Sequence, residues 1–276
     1  MSRTRRVRRR RIRIGSALAI VAALVGAAIG IRSLLSTPKP PVVAGCQVTI
    51  GQASYVLDLE QASNATTIAA VGKRLGLPDH AVTVALATAL QESGLHNLGY
   101  GDLDSLGLFQ QRPSQGWGTP SEILTPRYAA EAFFNHLAAV PGWEALPVTV
   151  AAQLVQRSSS PDAYAQWESE ARTLAEGLTG EVPTALSCQF PGSPPGATAP
   201  LSDSMSLELG PPTVGVAVVP ARGWTVSAWL IGHATQFGIT SVAYGGKAWT
   251  SARGGWGPDP VAGSAVVVTR VQSGSP

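Results

Sequence analysis

Between positions 81 and 90 every residue is apolar except Thr83 and Thr88. Apolar positions that circle a helix, rather than forming one stripe, predict burial on most sides. Gly94 is the expected stop, which puts Glu92 in the last turn. Other segments carry the period of half-buried helices. Asn64 is the expected cap of a helix bearing Ile68, Val71 and Leu75 before Gly76. From Tyr128 to Leu137 the residues Ala129, Ala130, Phe133, Phe134 and Leu137 share a face. Ser160-Pro161, a cap followed by proline at the first helical position, opens a further helix. Tyr164, Trp167, Ala171 and Leu174 lie in its register, and Gly180 stands past its end. Val48, Ile50, Tyr55 and Val56 mark a short strand-like segment over 46–60.

Past position 190 the pattern changes. Ser193 to Pro200 reads SPPGATAP, a linker by composition. Residues 214–219 and 265–271 are expected as strands, with a helix over 224–237 between them. Residues 241–244 and 247–250, split by Gly245-Gly246, are expected as a hairpin. The expected organisation is a mainly helical domain over 46–188, a linker over 189–212 and a small α+β module over 213–276.

The N-terminus speaks to place. Eight of the first thirteen residues are arginine and none is acidic. The uncharged run over 14–31 spans about 27 Å as a helix, close to a bilayer core. Arg32 can snorkel at its far end, so that Leu34 and Leu35 extend it. Basic residues before such a run orient the N-terminus to the cytoplasm. A cytoplasmic tail over 1–13, a transmembrane helix over 14–35 and a spacer over 36–45 follow, with the rest extracytoplasmic. An arginine block against a membrane span is better read as topology than as a nucleic-acid site. The formal net charge of +3 hides an asymmetry, because 12 basic residues beyond position 13 face 17 acidic ones, a net −5. No polycation-like attraction to anionic wall polymers is expected.

No A-x-A cleavage site closely follows the apolar run, which favours a retained anchor. Val43-Ala44-Gly45-Cys46 has the form of a lipoprotein cleavage box, but residues 36–41 separate it from the run. Lipidation at Cys46 and ordinary cleavage remain the alternatives. Cys46 and Cys188 are the only cysteines and bracket the helical region, so a disulfide is expected in an oxidising compartment. The four histidines (His80, His96, His136, His233) are scattered. No Cys/His cluster has metal-ligand spacing, and no metal or cofactor is expected.

The candidate chemistry centres on Glu92. Its carboxyl lies near the negative end of a helix dipole and beside apolar surface, surroundings that favour the protonated form. An acid that keeps its proton can donate it to a glycosidic oxygen as the bond breaks. Fifteen residues after Glu92-Ser93 comes Gly107-Leu108-Phe109-Gln110, followed by Gln111-Arg112-Pro113. This pairing resembles the lytic transglycosylases and goose-type lysozymes of the lysozyme-like superfamily, which cleave the glycan strands of peptidoglycan. The resemblance covers roughly residues 64–175. With the Ala/Gly/Arg/Pro-rich composition it suggests an actinobacterial membrane-anchored protein.

The resemblance implies a mainly α lysozyme-like domain, beside the N-terminal transmembrane helix and the small C-terminal α+β module. It implies Glu92 as catalytic acid/base, with Ser93 and Gln110 supporting the carboxylate or the adjacent sugar. One departure stands out. The Tyr-Asn pair common on a later helix of these enzymes is replaced here by Val155 and Gln156, with Gln156 left as a substrate-facing candidate. Asp102 and Asp104 are open to two readings. At about 6.5–9.5 Å from Glu92 one of them would activate water for hydrolysis. Otherwise the pair is a turn whose aspartates bond their own backbone, and a single-carboxylate route yields a 1,6-anhydro end. The C-terminal module faintly resembles the C-terminal half of a group of actinobacterial proteins with a zinc D,D-carboxypeptidase-like fold. Ser264-Ala265-Val266-Val267-Val268 stands where that fold's His-x-His would be, so a non-catalytic docking or wall-contact role is expected. Two functions follow: glycan-strand cleavage by a lytic transglycosylase, or else a muramidase, and a non-catalytic peptidoglycan-binding or envelope-assembly role that retains the lysozyme-like fold.

Overall fold

The computed structural model describes residues 43–271, apart from 159–161, 193, 195–199 and 212–213. Strand β1 (Gly45–Ile50) lies between β2 (Ala53–Leu57) and β3 (Leu186–Gln189) in an antiparallel sheet. Its register sets Cys46 directly opposite Cys188, and the two form a disulfide with Cα atoms 4.0 Å apart. Helix α1 (Leu59–Arg74) follows β2. Asp58 accepts from the Gln61 amide, and the Gln61 side chain accepts from the Asp58 amide, a reciprocal cap that starts the helix upstream of Asn64. Asn64, the expected cap, is buried inside the helix and donates to the Leu95 carbonyl at 2.8 Å.

Helix α2 (Asp79–Ser93) is buried from Ala81 to Leu90, as the all-round apolar pattern requires. Its end is closed by Gly94 at φ 61°. The Gly94 amide donates to the Leu90 carbonyl at 3.0 Å and the Leu95 amide to the Ala89 carbonyl at 3.1 Å. After the short α3 (Pro120–Ile123), helices α4 (Pro126–Ala138), α5 (Val148–Gln156) and α6 (Glu168–Leu178) pack with α1 around α2. The predicted start of α6 at Ser160-Pro161 lies outside the described residues. Tyr164 and Trp167 belong to a 3-10 turn ahead of the helix.

The expectation of a mainly α lysozyme-like domain with a separate small module is corrected. Roughly half of the described chain is helical, and it carries two antiparallel sheets. The stretch expected as a linker contains helix α7 (Leu201–Leu209), which buries Leu201, Met205 and Leu209 and packs on α1. The predicted helix over 224–237 is two helices, α8 (Pro220–Gly232) and α9 (Ala234–Phe237). The hairpin forms as β4 (Ile239–Tyr244) and β5 (Lys247–Thr250). With β6 (Gly255–Pro258) and β7 (Val267–Arg270) it makes a sheet of order β6-β5-β4-β7. Residues 214–219 contribute only isolated bridges, Val214 with Val266 and Ala217 with Ala265.

These C-terminal elements share the core of the helical part. Trp249 Nε1 donates to the Cys188 carbonyl at 3.1 Å and Trp256 Nε1 to the Leu186 carbonyl at 2.8 Å. Thr67 Oγ1 and Trp229 Nε1 both donate to Glu208 Oε2, at 2.8 and 2.7 Å. His233 is buried beside them. Its Nδ1 carries a proton, because its partner at 2.9 Å is the Trp229 carbonyl, and burial pushes its pKa down. The physical reason is area: a segment of this size buries too little apolar surface alone and completes its core against a neighbour. The expected transmembrane helix over 14–35 lies outside the described residues. Among the described residues no helix is long and apolar enough to cross a membrane.

Candidate active site

Glu92 leaves the last turn of α2 and lines an open cleft of about 980 Å³. Its Oε1 accepts a hydrogen bond from the Tyr164 hydroxyl at 2.8 Å. The Tyr164 side chain is fully buried. Burial, and then the neighbouring Glu92 charge, push the phenol pKa well above its ordinary value, so this hydroxyl stays a donor. Asp102, Gln110 and Gln156 line the same cleft. Ser93 and Asp104 are not among its lining residues.

The Gly107–Gln110 turn faces the cleft for reasons legible in each residue. Gly107 takes φ 76°, and a Cβ there would come within 2.8 Å of the Ile123 carbonyl oxygen. Leu108 and Phe109 are buried, with Phe109 stacked on Phe133 at 4.7 Å between ring centres. Gln110, at φ 47°, turns its amide over Gly101 and donates to the Tyr100 and Gly107 carbonyls, both at 3.3 Å.

Two predicted site residues hold this turn from behind. Ser93 Oγ donates to the Leu108 carbonyl at 2.8 Å, and Gln156 Nε2 donates to the Phe109 carbonyl at 2.7 Å. Ser93 therefore positions the turn and makes no bond to the Glu92 carboxylate. Gln156 has its amide N–H committed to the turn, while its side chain still borders the cleft. The turn is thereby tied to both α2 and α5.

The two aspartates separate. Asp104 accepts from Arg112 Nε at 2.7 Å, the Ser114 amide at 2.8 Å and Ser114 Oγ at 3.0 Å. The hydrogen bonds from Arg112 and Ser114 hold its carboxyl well below the usual carboxylate range. That anion braces the 3-10 turn Pro113–Gln115. The Asp102 carboxylate has no partner among the described residues, and only its backbone closes the turn, accepting from the Ser105 amide at 3.0 Å.

Sequence reasoning missed Tyr164, which it reads as one more apolar-face residue of a helix. No spacing rule links it to Glu92, 72 residues earlier. Two further features emerge only in three dimensions. Trp117, at the cleft wall, stacks on His136 with ring centres 4.0 Å apart. Arg157, the C-cap of α5 at φ 52°, lines the cleft beside Leu154 and Val155. Among the described residues, no three His, Cys, Asp or Glu side chains are grouped so as to hold a metal ion.

Replacing Tyr164 by Phe keeps the buried ring and removes only the hydroxyl that holds Glu92. If Glu92 is the acid that the sequence pattern implies, turnover should fall about 10–100-fold, with KM changed little, because a freed carboxyl loses orientation rather than substrate contacts. Stability should fall by about 0.5–1.5 kcal/mol, the usual net contribution of one hydrogen bond. Steady-state kinetics beside a denaturant unfolding curve would read both. Equal loss in KM and kcat would point to a wider collapse of the cleft.

No known protein-family model matches this chain, and no curated protein matches it in sequence.

Proposed function

We propose that this protein cleaves the glycan strands of peptidoglycan as a lytic transglycosylase, with Glu92 as the single general acid/base. The observation that carries the reading is the Glu92 carboxyl, gripped by the Tyr164 hydroxyl at 2.8 Å, opening on a cleft of about 980 Å³. That volume sits at the upper end of ligand pockets, about 300–1,000 Å³. The Glu92-Ser93 and Gly107–Gln110 resemblance adds the substrate class. In this mechanism the Glu92 carboxylic acid gives its proton to the glycosidic oxygen as the bond from C1 breaks. The substrate's N-acetyl group stabilises the developing cation. The Glu92 carboxylate then takes the proton of the sugar's own 6-hydroxyl as that oxygen bonds to C1, which closes a 1,6-anhydro ring and regenerates the acid.

Asp104 is spent on Arg112 and Ser114, which leaves Asp102, among the described residues, as the one further carboxylate on the cleft wall. The single-carboxylate route rests on the transglycosylase resemblance of Glu92-Ser93 and Gly107–Gln110, and the Asp102→Asn test below separates it from hydrolysis. A non-catalytic peptidoglycan-binding or envelope-assembly role is the rival; the C-terminal segment without metal ligands motivates it, and so does the Tyr-Asn pair replaced by Val155 and Gln156. Tyr164 supplies a phenol to Glu92 from another element and weakens the latter motive. The Cys46–Cys188 disulfide fits an oxidising, extracytoplasmic compartment. Work at the outer side of the cell membrane, held there by the apolar N-terminal segment, belongs to the same proposal.

The test is incubation of the full chain with purified peptidoglycan and mass spectrometry of the released products. Anhydro-muropeptides are expected, and Asp102→Asn should keep most of the activity. Reducing-end products together with an inactive Asp102→Asn would make the enzyme a hydrolase. Co-sedimentation with the insoluble wall and no soluble product would leave the binding role.

A further inference from the structure

We infer that Arg157 is a binding residue for a carboxylate carried by the substrate, so that the cleft selects glycan strands bearing acidic substituents over neutral polysaccharide. This rests on the glycan-cleaving reading above and adds its substrate preference. Among the described residues two arginines line the cleft, and their surroundings differ. Arg112 is balanced by Asp104 at 2.7 Å. Arg157 has no carboxylate partner among the described residues. An uncompensated guanidinium in a concave wall is a ready partner for a planar carboxylate, which it can meet with two parallel N–H donors.

The local backbone argues the same way. Arg157 ends α5 in the left-handed region at φ 52°, and its amide donates to the Gln153 carbonyl at 2.8 Å. Glycine or asparagine is the low-strain choice at such a cap. A cation near a helix C-terminus gains from the dipole, but a lysine or arginine within the last turn would gain as much without the strained conformation. Leu154, one turn earlier on α5, is 48% exposed and also lines the cleft. A cation beside an exposed apolar side chain matches a carboxylate on a short alkyl or peptidyl arm. Peptidoglycan offers two sources of that chemistry: the lactyl ether of its muramic sugar and the free carboxylates of its peptide stems.

The experiment measures equilibrium binding by calorimetry to the full-length Glu92→Gln protein, whose slowed turnover leaves the ligand largely intact during the titration. The three probes are a peptidoglycan tetrasaccharide with peptide stems, the same oligosaccharide with stems removed to expose the lactyl carboxylate, and neutral chitotetraose. Adding Arg157→Asn, whose side chain tolerates the left-handed region, should weaken at least one carboxylate probe about tenfold. Chitotetraose should change by less than about twofold, and Arg157→Lys should recover part of the loss. Whichever carboxylate probe suffers identifies the source. An equal loss on all three probes, or no loss on any, would overturn the inference. Failure of every probe to bind would overturn it together with the glycan reading. Binding with the expected Arg157 dependence, in a protein whose Glu92 form releases no product, would remove the cleavage reading and keep this one.

Discussion

Glu92→Gln should lower release of soluble muropeptides about 100- to 10,000-fold, the range that general acid–base catalysis supplies. The substitution is nearly isosteric. A glutamine oxygen at position 92 still accepts from the Tyr164 hydroxyl, so the 2.8 Å contact survives in kind. In the proposed mechanism, what vanishes is the proton that the leaving oxygen needs and the base that the 6-hydroxyl needs. Stability should stay within about 1 kcal/mol of the parent, because no cavity, buried unpaired charge or lost cap is created. Initial rates on purified peptidoglycan and a denaturant melt of the same preparation would check both halves. A variant keeping more than a tenth of the rate would mean that Glu92 is not the acid.

The second large effect concerns the Cys46–Cys188 bond. The two residues are 142 apart in sequence, and linking them removes much of the freedom of the unfolded chain. In the chain-entropy picture that constraint stabilises by about 4–5 kcal/mol. Both side chains are buried in the β1–β3 pair, at 3% and 1% exposure, and the Cys188 carbonyl also receives Trp249 from the second sheet. Losing the bond therefore loosens the seam where the two sheets meet. Cys46→Ala with Cys188→Ala, or reduction of the native protein, should lower the unfolding free energy by most of that amount. Urea unfolding with and without reductant reads it directly. A loss below about 1 kcal/mol would show that the seam holds by packing alone. The native protein should also have an intact mass two hydrogens short of its reduced form. A diacylglycerol on a mature N-terminal Cys46 would contradict the disulfide.

Local chemistry was enough for several elements. The all-round apolar run of α2, its Gly94 stop and the last-turn place of Glu92 follow from periodicity and capping, which are properties of a short stretch of chain. So do the shared face of α4 and the Gly245-Gly246 hairpin. The disulfide was legible by elimination, since only two cysteines exist. Where two local signals compete, the stronger one wins: the reciprocal Asp58–Gln61 cap starts α1, and Asn64 is drawn into the interior. Short segments with weak patterns escaped. Helix α7 was hidden in a stretch whose first part is rich in proline, glycine and serine. Strand β6, Gly-Trp-Gly-Pro, has the composition of a turn and is a strand only because β5 pairs with it.

By itself, then, the chain determined where its helices are buried, where α2 ends, which carboxylate stands at that end and which cysteines pair. Tertiary structure alone decided what that carboxylate meets. Tyr164 reaches Glu92 because α2 and the turn before α6 pack side by side, and no periodicity encodes a contact across 72 residues. The same holds for Ser93 and Gln156, whose polar groups face the site in sequence terms yet are used to hold the turn that carries Gln110. It holds too for Asp104, drawn to Arg112, and for the C-terminal segment, which folds against the helices rather than by itself. Helix and turn propensities act over a few residues. A polar side chain's partner is set by which surfaces the whole core brings together.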